Sequence, residues 1–234
     1  MKNKYKKVLR FFNKYTEKFV MDNKEDQENI NLKIEHSKRE IKNMEEIIAA
    51  YDLEEENYYL AKIIALFHDI GRFRQYEEFN TFSDFKSLDH GKLGVKVIRE
   101  NNLLENMDKK YKDIVYKAIE HHNDCDLNEN DFSNDEELFY AKLIRDADKL
   151  DIFNIFMEKY KNDNEENYII NLKHNSKITD EIYNKVLNKE KMKYDKLKTV
   201  NDLKLMHISW IYDINFPQSL EIIKKRNYID YIYN

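Results

Sequence analysis

The residues with the most chemical potential in this chain are histidines and aspartates. Five of the seven histidines fall between positions 36 and 122: His36 in IEHSKRE, His68 beside Asp69 in LFHDIGR, His90 in LDHGKLG, and the adjacent His121 and His122 in IEHHND. Asp148 follows in LIRDADKLD. A single helical histidine is more often a packed or solvated residue than a ligand. A series of imidazoles and carboxylates without thiolates is instead a donor set for Fe, Mn, Co, Ni or Zn, of the kind that leaves coordination positions open for catalysis. The lone cysteine, Cys125, is not needed for it.

Such ligands must be carried by elements that converge, and the apolar spacing supplies helices. Val8, Leu9, Phe12, Tyr15 and Phe19 recur at helical intervals, followed by a polar break at 21–27. Ile34, Ile41, Met44, Ile47 and Ile48 mark a second helix over about 29–51, and Leu60, Ile63, Ile64 and Phe67 a third over 55–69 that stops at Gly71, read as a C′ position. Residues 72–88 lose the period and read as an ordered loop or lid. Asp89 caps the next helix, Asp108 begins another that ends at the His121–His122 pair, and a long periodic helix spans 135–160. A polar linker is expected at 162–166, with weaker helices beyond it and Pro217 in a first helical turn. Helices that each contribute one or two inward ligands are the way metal sites are built inside bundles.

Composition agrees. With three glycines and one proline in 234 residues, an all-β sandwich or barrel lacks its turns, and neither a Rossmann fingerprint nor a P-loop occurs. Thirteen Phe and seventeen Tyr can build a core despite 36% charged residues. The net charge of −5, from 40 bases and 45 acids, gives no global field for nucleic acid or an anionic membrane, so neither partner is expected. No run approaches the roughly 20 apolar residues of a membrane span, residues 1–20 show no signal-peptide core, and one cysteine excludes an intramolecular disulfide. A cytoplasmic setting is expected. The fold class is therefore all-α, in one domain over 1–234.

The RDADKLD segment holds three aspartates. Tyr140, Leu143, Ile144, Ala147 and Ile155 form one stripe, with Asp148 and Asp151 on or beside it. Asp146 projects away and reads as a solvated charge pairing locally with Arg145 or Lys149. A carboxylate on the apolar face needs a cation, which a metal would supply.

A His, then a His-Asp pair near a helix end, then a distant Asp resembles the HD-domain superfamily of metal-dependent phosphohydrolases. His36, His68, Asp69 and Asp148 fall at its defining positions, HDIGR resembles the HDIGK of many members, and the match spans roughly 30–160. The resemblance implies a helical bundle of the HD type, with a core over about 28–161 and an added helical extension over about 167–234. It also implies two divalent ions. Asp69 would bridge them, His36, His68 and Asp148 would hold one, and His90 with His121 and His122 the other. Adjacent helical residues diverge by about 100°, so both His121 and His122 bind only where the helix ends; otherwise one of them touches substrate or supports the site.

The implied reaction is hydrolysis of a small phosphorylated substrate, a nucleotide or other phosphate ester, with Asp69 and Arg72 in catalytic roles. Arg72, at the place of the family's motif lysine, would grip the phosphate, aided by Lys92 and Lys149. For each cation the plain alternative is a surface charge, and the aromatic segment 73–85 either covers a base or sugar or merely packs. HHNDCDLN differs from the HHE and GYP signatures of cyclic di-GMP enzymes, and the alarmone hydrolases lack the extra histidines. Two alternatives share the ligand order: a di-iron oxygenase on the same scaffold, and a non-catalytic module that senses a nucleotide. All three glycines, Gly71, Gly91 and Gly94, lie beside these ligands, where a backbone must turn or approach closely.

Overall fold

The computed structural model describes residues 1–161, 172–173 and 177–233. It is helical throughout, with no sheet strand among the described residues and no helix long and apolar enough to cross a membrane. The chain divides into two compact units, Met1–Asp148 and Lys149–Asn234, and the division falls within a helix. The polar linker expected at 162–166 and the first residues of the expected extension lie outside the described residues.

The first unit contains α1 (Lys2–Thr16), α2 (Lys24–Ile48), α3 (Glu55–Phe67), α4 (Ile70–Phe79), α5 (His90–Glu100), α6 (Lys109–Glu120) and the first half of α7 (Asp135–Lys161). Local chemistry sets the starts. Asn23 accepts a hydrogen bond from the Glu25 amide and Asp89 accepts one from the Lys92 amide, filling orphan donors at the N-termini of α2 and α5. In α3 the run Leu60–Phe67 is buried at every position except Lys62, so this helix forms the middle of the core. The second unit holds α8 (Asp180–Leu187), α9 (Val200–Ser209), α10 (Pro217–Lys225) and α11 (Tyr228–Tyr233). Pro217 opens α10, and Thr199 with Asp202 forms a reciprocal capping box on α9.

Three expectations are corrected. Residues 72–79 are helical, the body of α4, and only 80–88 is irregular apart from a 3-10 turn at Asp84–Lys86. Ile70, Phe73 and Tyr76 repeat at intervals of three, and Phe73 packs edge-on or tilted against Phe12, Tyr15 and Phe19 at 5.6–6.4 Å between ring centres. Charged residues between the aromatics hid that stripe.

Gly71 is not a left-handed cap: no glycine has positive φ, and the residue lies inside α4. It is small because α5 crosses there. A Cβ on Gly71 would lie 2.3 Å from the His90 carbonyl oxygen and 2.6 Å from the Gly94 amide nitrogen. Gly91 makes a similar approach to the end of α6, where a Cβ would meet the Ile119 and Glu120 carbonyls at 2.7 and 2.8 Å. Close helix approach, not turning, is what these two glycines supply.

Asp146 is fully buried rather than solvated. Residues 143–147 of α7 are all buried, so a side chain pointing away from the ligand stripe still points into protein. Asp151 is buried as well.

Candidate metal centre

The centre is assembled from residues on or just beyond α2, α3, α5, α6 and α7, and all of these residues lie within the first unit. α3 ends at Phe67, which leaves His68 and Asp69 at the junction with α4, free of the constraints of a continuous helix. His36 comes from the middle of α2, His90 opens α5, His122 lies just past the end of α6, and Asp148 comes from α7.

The imidazoles meet in two pairs. His36 Nε2 lies 3.1 Å from His68 Nε2, and His90 Nε2 lies 3.0 Å from His122 Nε2. Asp69 stands between the pairs. Its Oδ2 is 3.4 Å from His36 Nε2 and 3.7 Å from His68 Nε2, while its Oδ1 is 3.3 Å from His90 Nε2 and 3.7 Å from His122 Nε2. Asp148 Oδ1 joins the first pair, 3.3 Å from His36 Nε2. The four imidazoles and Asp69 are buried, and Asp148, about 24% exposed, is the least buried of the set.

The far side of each ring fixes which nitrogen carries the proton. His68 Nδ1 is 2.8 Å from the Ala65 carbonyl and His122 Nδ1 is 2.7 Å from the Ile119 carbonyl. A carbonyl only accepts, so both Nδ1 atoms donate, and in the neutral Nδ1–H tautomer Nε2 presents a lone pair. His90 Nδ1 lies 2.6 Å from Asp84 Oδ2 and donates to it, leaving the same lone pair. His36 Nδ1 faces Glu40 Oε1 at 3.9 Å. Burial lowers the pKa of His68 to about 3 and that of His90 to about 4, so these rings are neutral and ligand-competent near neutral pH.

This donor set fits divalent metal. Two neutral imidazoles whose lone pairs face each other at 3.0 Å repel unless a cation accepts both, and about 3 Å is the separation of two nitrogens each ~2.1 Å from one ion at a right angle. Burial would raise the Asp69 pKa, yet the Lys33 ammonium beside it outweighs burial and the carboxyl is held well below the usual carboxylate range. Asp148 is likewise held low, burial being outweighed by His36. His36, Glu40, His68 and Asp148 form one group with converging ligand atoms, and His68, Asp69 and His122 another.

Of the adjacent pair, His122 faces His90 and Asp69. His121 turns Nδ1 to Asp124 Oδ2 at 2.7 Å and lays its ring near Phe132, 5.3 Å between centres. The divergence follows from α6 ending at Glu120, with His121 at its C-cap. Arg72 reaches Asp69 Oδ1 with Nε at 3.5 Å and uses its NH1 group on Gln75, on the Phe82 carbonyl and on Asp84 Oδ1. Lys92 is exposed on α5, and Lys149 pairs with Asp213 at 2.9 Å within the second unit.

Several residues at the centre have no counterpart in the sequence reading. Lys33 places its ammonium 2.8 Å from Asp69 Oδ2. Lys33 and Glu40 stand three before and four after His36, the spacing of one helix face, which was a usable signal. Arg145 donates to the His122 carbonyl at 3.0 Å and to the Asp124 carbonyl, clamping the turn that presents His122. Asp84 lies outside any periodic element and had no local signature.

No curated protein and no solved structure matches the chain. The family model of the HD domain matches residues 33–152, or 120 of the 234 residues, a span that opens at Lys33 and closes just past Asp148. The members of that family are in general metal-dependent phosphohydrolases. With the His, His-Asp and Asp positions converging in one buried cluster inside the matched span, the chain belongs to the HD-domain family.

Proposed function

We propose that the protein is a phosphohydrolase that uses two divalent transition-metal ions (Fe, Mn, Co, Ni or Zn) to cleave a phosphate ester or phosphoanhydride of a small substrate, a nucleotide in our reading. The observation that carries it is the facing of His90 and His122, lone pair to lone pair at 3.0 Å, on the opposite side of Asp69 from the His36–His68 pair. When bound, a divalent pair supplies the Lewis acidity that makes a hydroxide nucleophile near neutral pH and neutralises phosphoryl charge.

The chain's own residues divide the remaining work. Asp69 offers one oxygen to each half, and Asp148 completes the first half at its exposed edge. Lys33 and Arg72 bring positive charge to either side of Asp69, at 2.8 and 3.5 Å, where phosphoryl oxygens would be received. Phe82 is half-buried, rests on Tyr76 at 4.6 Å and lies 5.5 Å from the Lys33 ammonium. An aromatic face beside a phosphate-binding cation suits a nucleobase. Phe73 is enclosed in the core and plays no such part.

The test is phosphate release under anaerobic conditions from a panel of nucleotides and phosphate esters, with the protein loaded with Mn, Co, Ni, Zn or Fe(II). Metal-dependent turnover is expected. In a parallel aerobic assay, iron-dependent O₂ consumption with no hydrolysis in either assay would replace this reading with an oxygenase. Nucleotide binding without turnover would replace it with a sensor.

A further inference from the structure

The two halves of the centre are supported differently. His68 and His122 each donate Nδ1–H to a carbonyl three residues back, a contact that the helix end supplies for itself. His90 has no such carbonyl and instead donates to Asp84, which lies in the irregular 80–88 segment. Four groups hold that carboxylate. Oδ1 accepts from Arg72 at 2.9 Å and from Gln75 at 2.8 Å, and Oδ2 accepts from Asn123 at 3.1 Å in addition to His90 at 2.6 Å. Gln75 also ties down the following residues through Ser87 Oγ at 2.9 Å and the Leu88 carbonyl at 2.8 Å.

We infer that Asp84 is a positioning residue for the His90–His122 half of the centre: it fixes His90 in the Nδ1–H form and aims the Nε2 lone pair at Asp69 Oδ1. The inference rests on the two-ion reading above. A charged acceptor behind a ligating imidazole fixes the ring's tautomer and orientation and raises its basicity, and its loss costs about 10–100-fold in metal affinity. Because Asp84 reaches only His90 among the imidazoles, the loss falls on one half. The His36–His68 half, backed by Glu40 and Ala65, is left intact.

The experiment is calorimetric titration of the metal-stripped full chain with Co²⁺, paired with ¹⁵N NMR of the histidines in the metal-free protein. Wild type is expected to bind two ions and to show His90 as the Nδ1–H tautomer. In Asp84→Ala one binding event weakens 10–100-fold, the other stays within twofold, and His90 becomes a mixture of tautomers. Ser87→Ala loosens the same segment without touching His90 and leaves both affinities within twofold. Asp84→Asn keeps the oxygen acceptor but loses the charge, so a weakening of the same event by 3-fold or more is expected even if the alanine variant does not fold. Two undiminished binding events in Asp84→Asn, an unchanged tautomer in Asp84→Ala, or an equal loss in Ser87→Ala overturns the inference while the two-ion reading stands. A wild type that binds fewer than two ions overturns both.

Discussion

His90 and His122 present their Nε2 atoms to one another at 3.0 Å with both Nδ1 positions already donating, to Asp84 and to the Ile119 carbonyl. In the Nδ1–H tautomer neither Nε2 carries a proton to satisfy that contact. A cation bound by both would stabilise the folded first unit, and adding Co²⁺ or Mn²⁺ at about 100 times its Kd is expected to contribute about 2.7 kcal/mol per site. For a protein of this size that raises Tm by roughly 5–10 °C. Thermal unfolding with and without chelator checks it; no shift with any of the five metals contradicts a bound ion.

The division of ligands between the halves predicts a pattern of single losses. His36→Ala should retain one ion, held by the His90–His122 half, and His122→Ala should retain one ion, held by the other. His121→Ala, whose Nδ1 faces Asp124, should retain two. Metal content of the three variants after gel filtration gives the answer, and two retained ions in His122→Ala would reverse the assignment of this pair.

The convergence of His36, His68, Asp69, His90 and Asp148 was legible in the sequence. It could be anticipated because imidazoles and carboxylates cluster within or at the ends of successive helices, in the order that resembles the HD domain. The choice between His121 and His122 was not legible, because it turns on where α6 ends, and that end is set by packing. Asp84 and Asn123 come from irregular segments 39 residues apart and carry no period at all. Asp146 was misjudged because one apolar stripe does not show that the opposite face is covered too.

Gly71 makes a prediction that concerns the scaffold. Its Cβ position is blocked at 2.3 Å by the backbone oxygen of His90, which no rotamer change can relieve. Gly71→Ala should push α5 from α4 and destabilise the fold by about 1–3 kcal/mol, with loss of the ion held by His90. Chemical denaturation combined with metal analysis tests both parts; an unchanged denaturation midpoint contradicts the close-approach account.

Glu45 supplies a pH dependence remote from the centre. Burial would raise its pKa, but the hydrogen bonds from Lys62 and Tyr58, each 2.6 Å, outweigh it and lower it. A carboxylate with a lowered folded-state pKa contributes stability above its unfolded pKa of about 4.3, and that contribution is lost as pH falls through the folded value. The Glu45 side chain is 35% exposed, so the contribution is small, about 0.5 kcal/mol. Glu45→Gln should be less stable than wild type by that amount at pH 7, and the difference should shrink as pH falls below the unfolded pKa of about 4.3, measured by urea unfolding across that range.

In the proposed two-ion arrangement Asp69 joins the two halves, one oxygen facing each. Metal analysis of the full chain purified without added metal and then reconstituted, beside Asp69→Ala, addresses it most directly. Two ions per wild-type chain are expected, with a variant that retains essentially none after gel filtration. A wild type that binds no more than one ion, or an Asp69→Ala variant that still holds two, would contradict it.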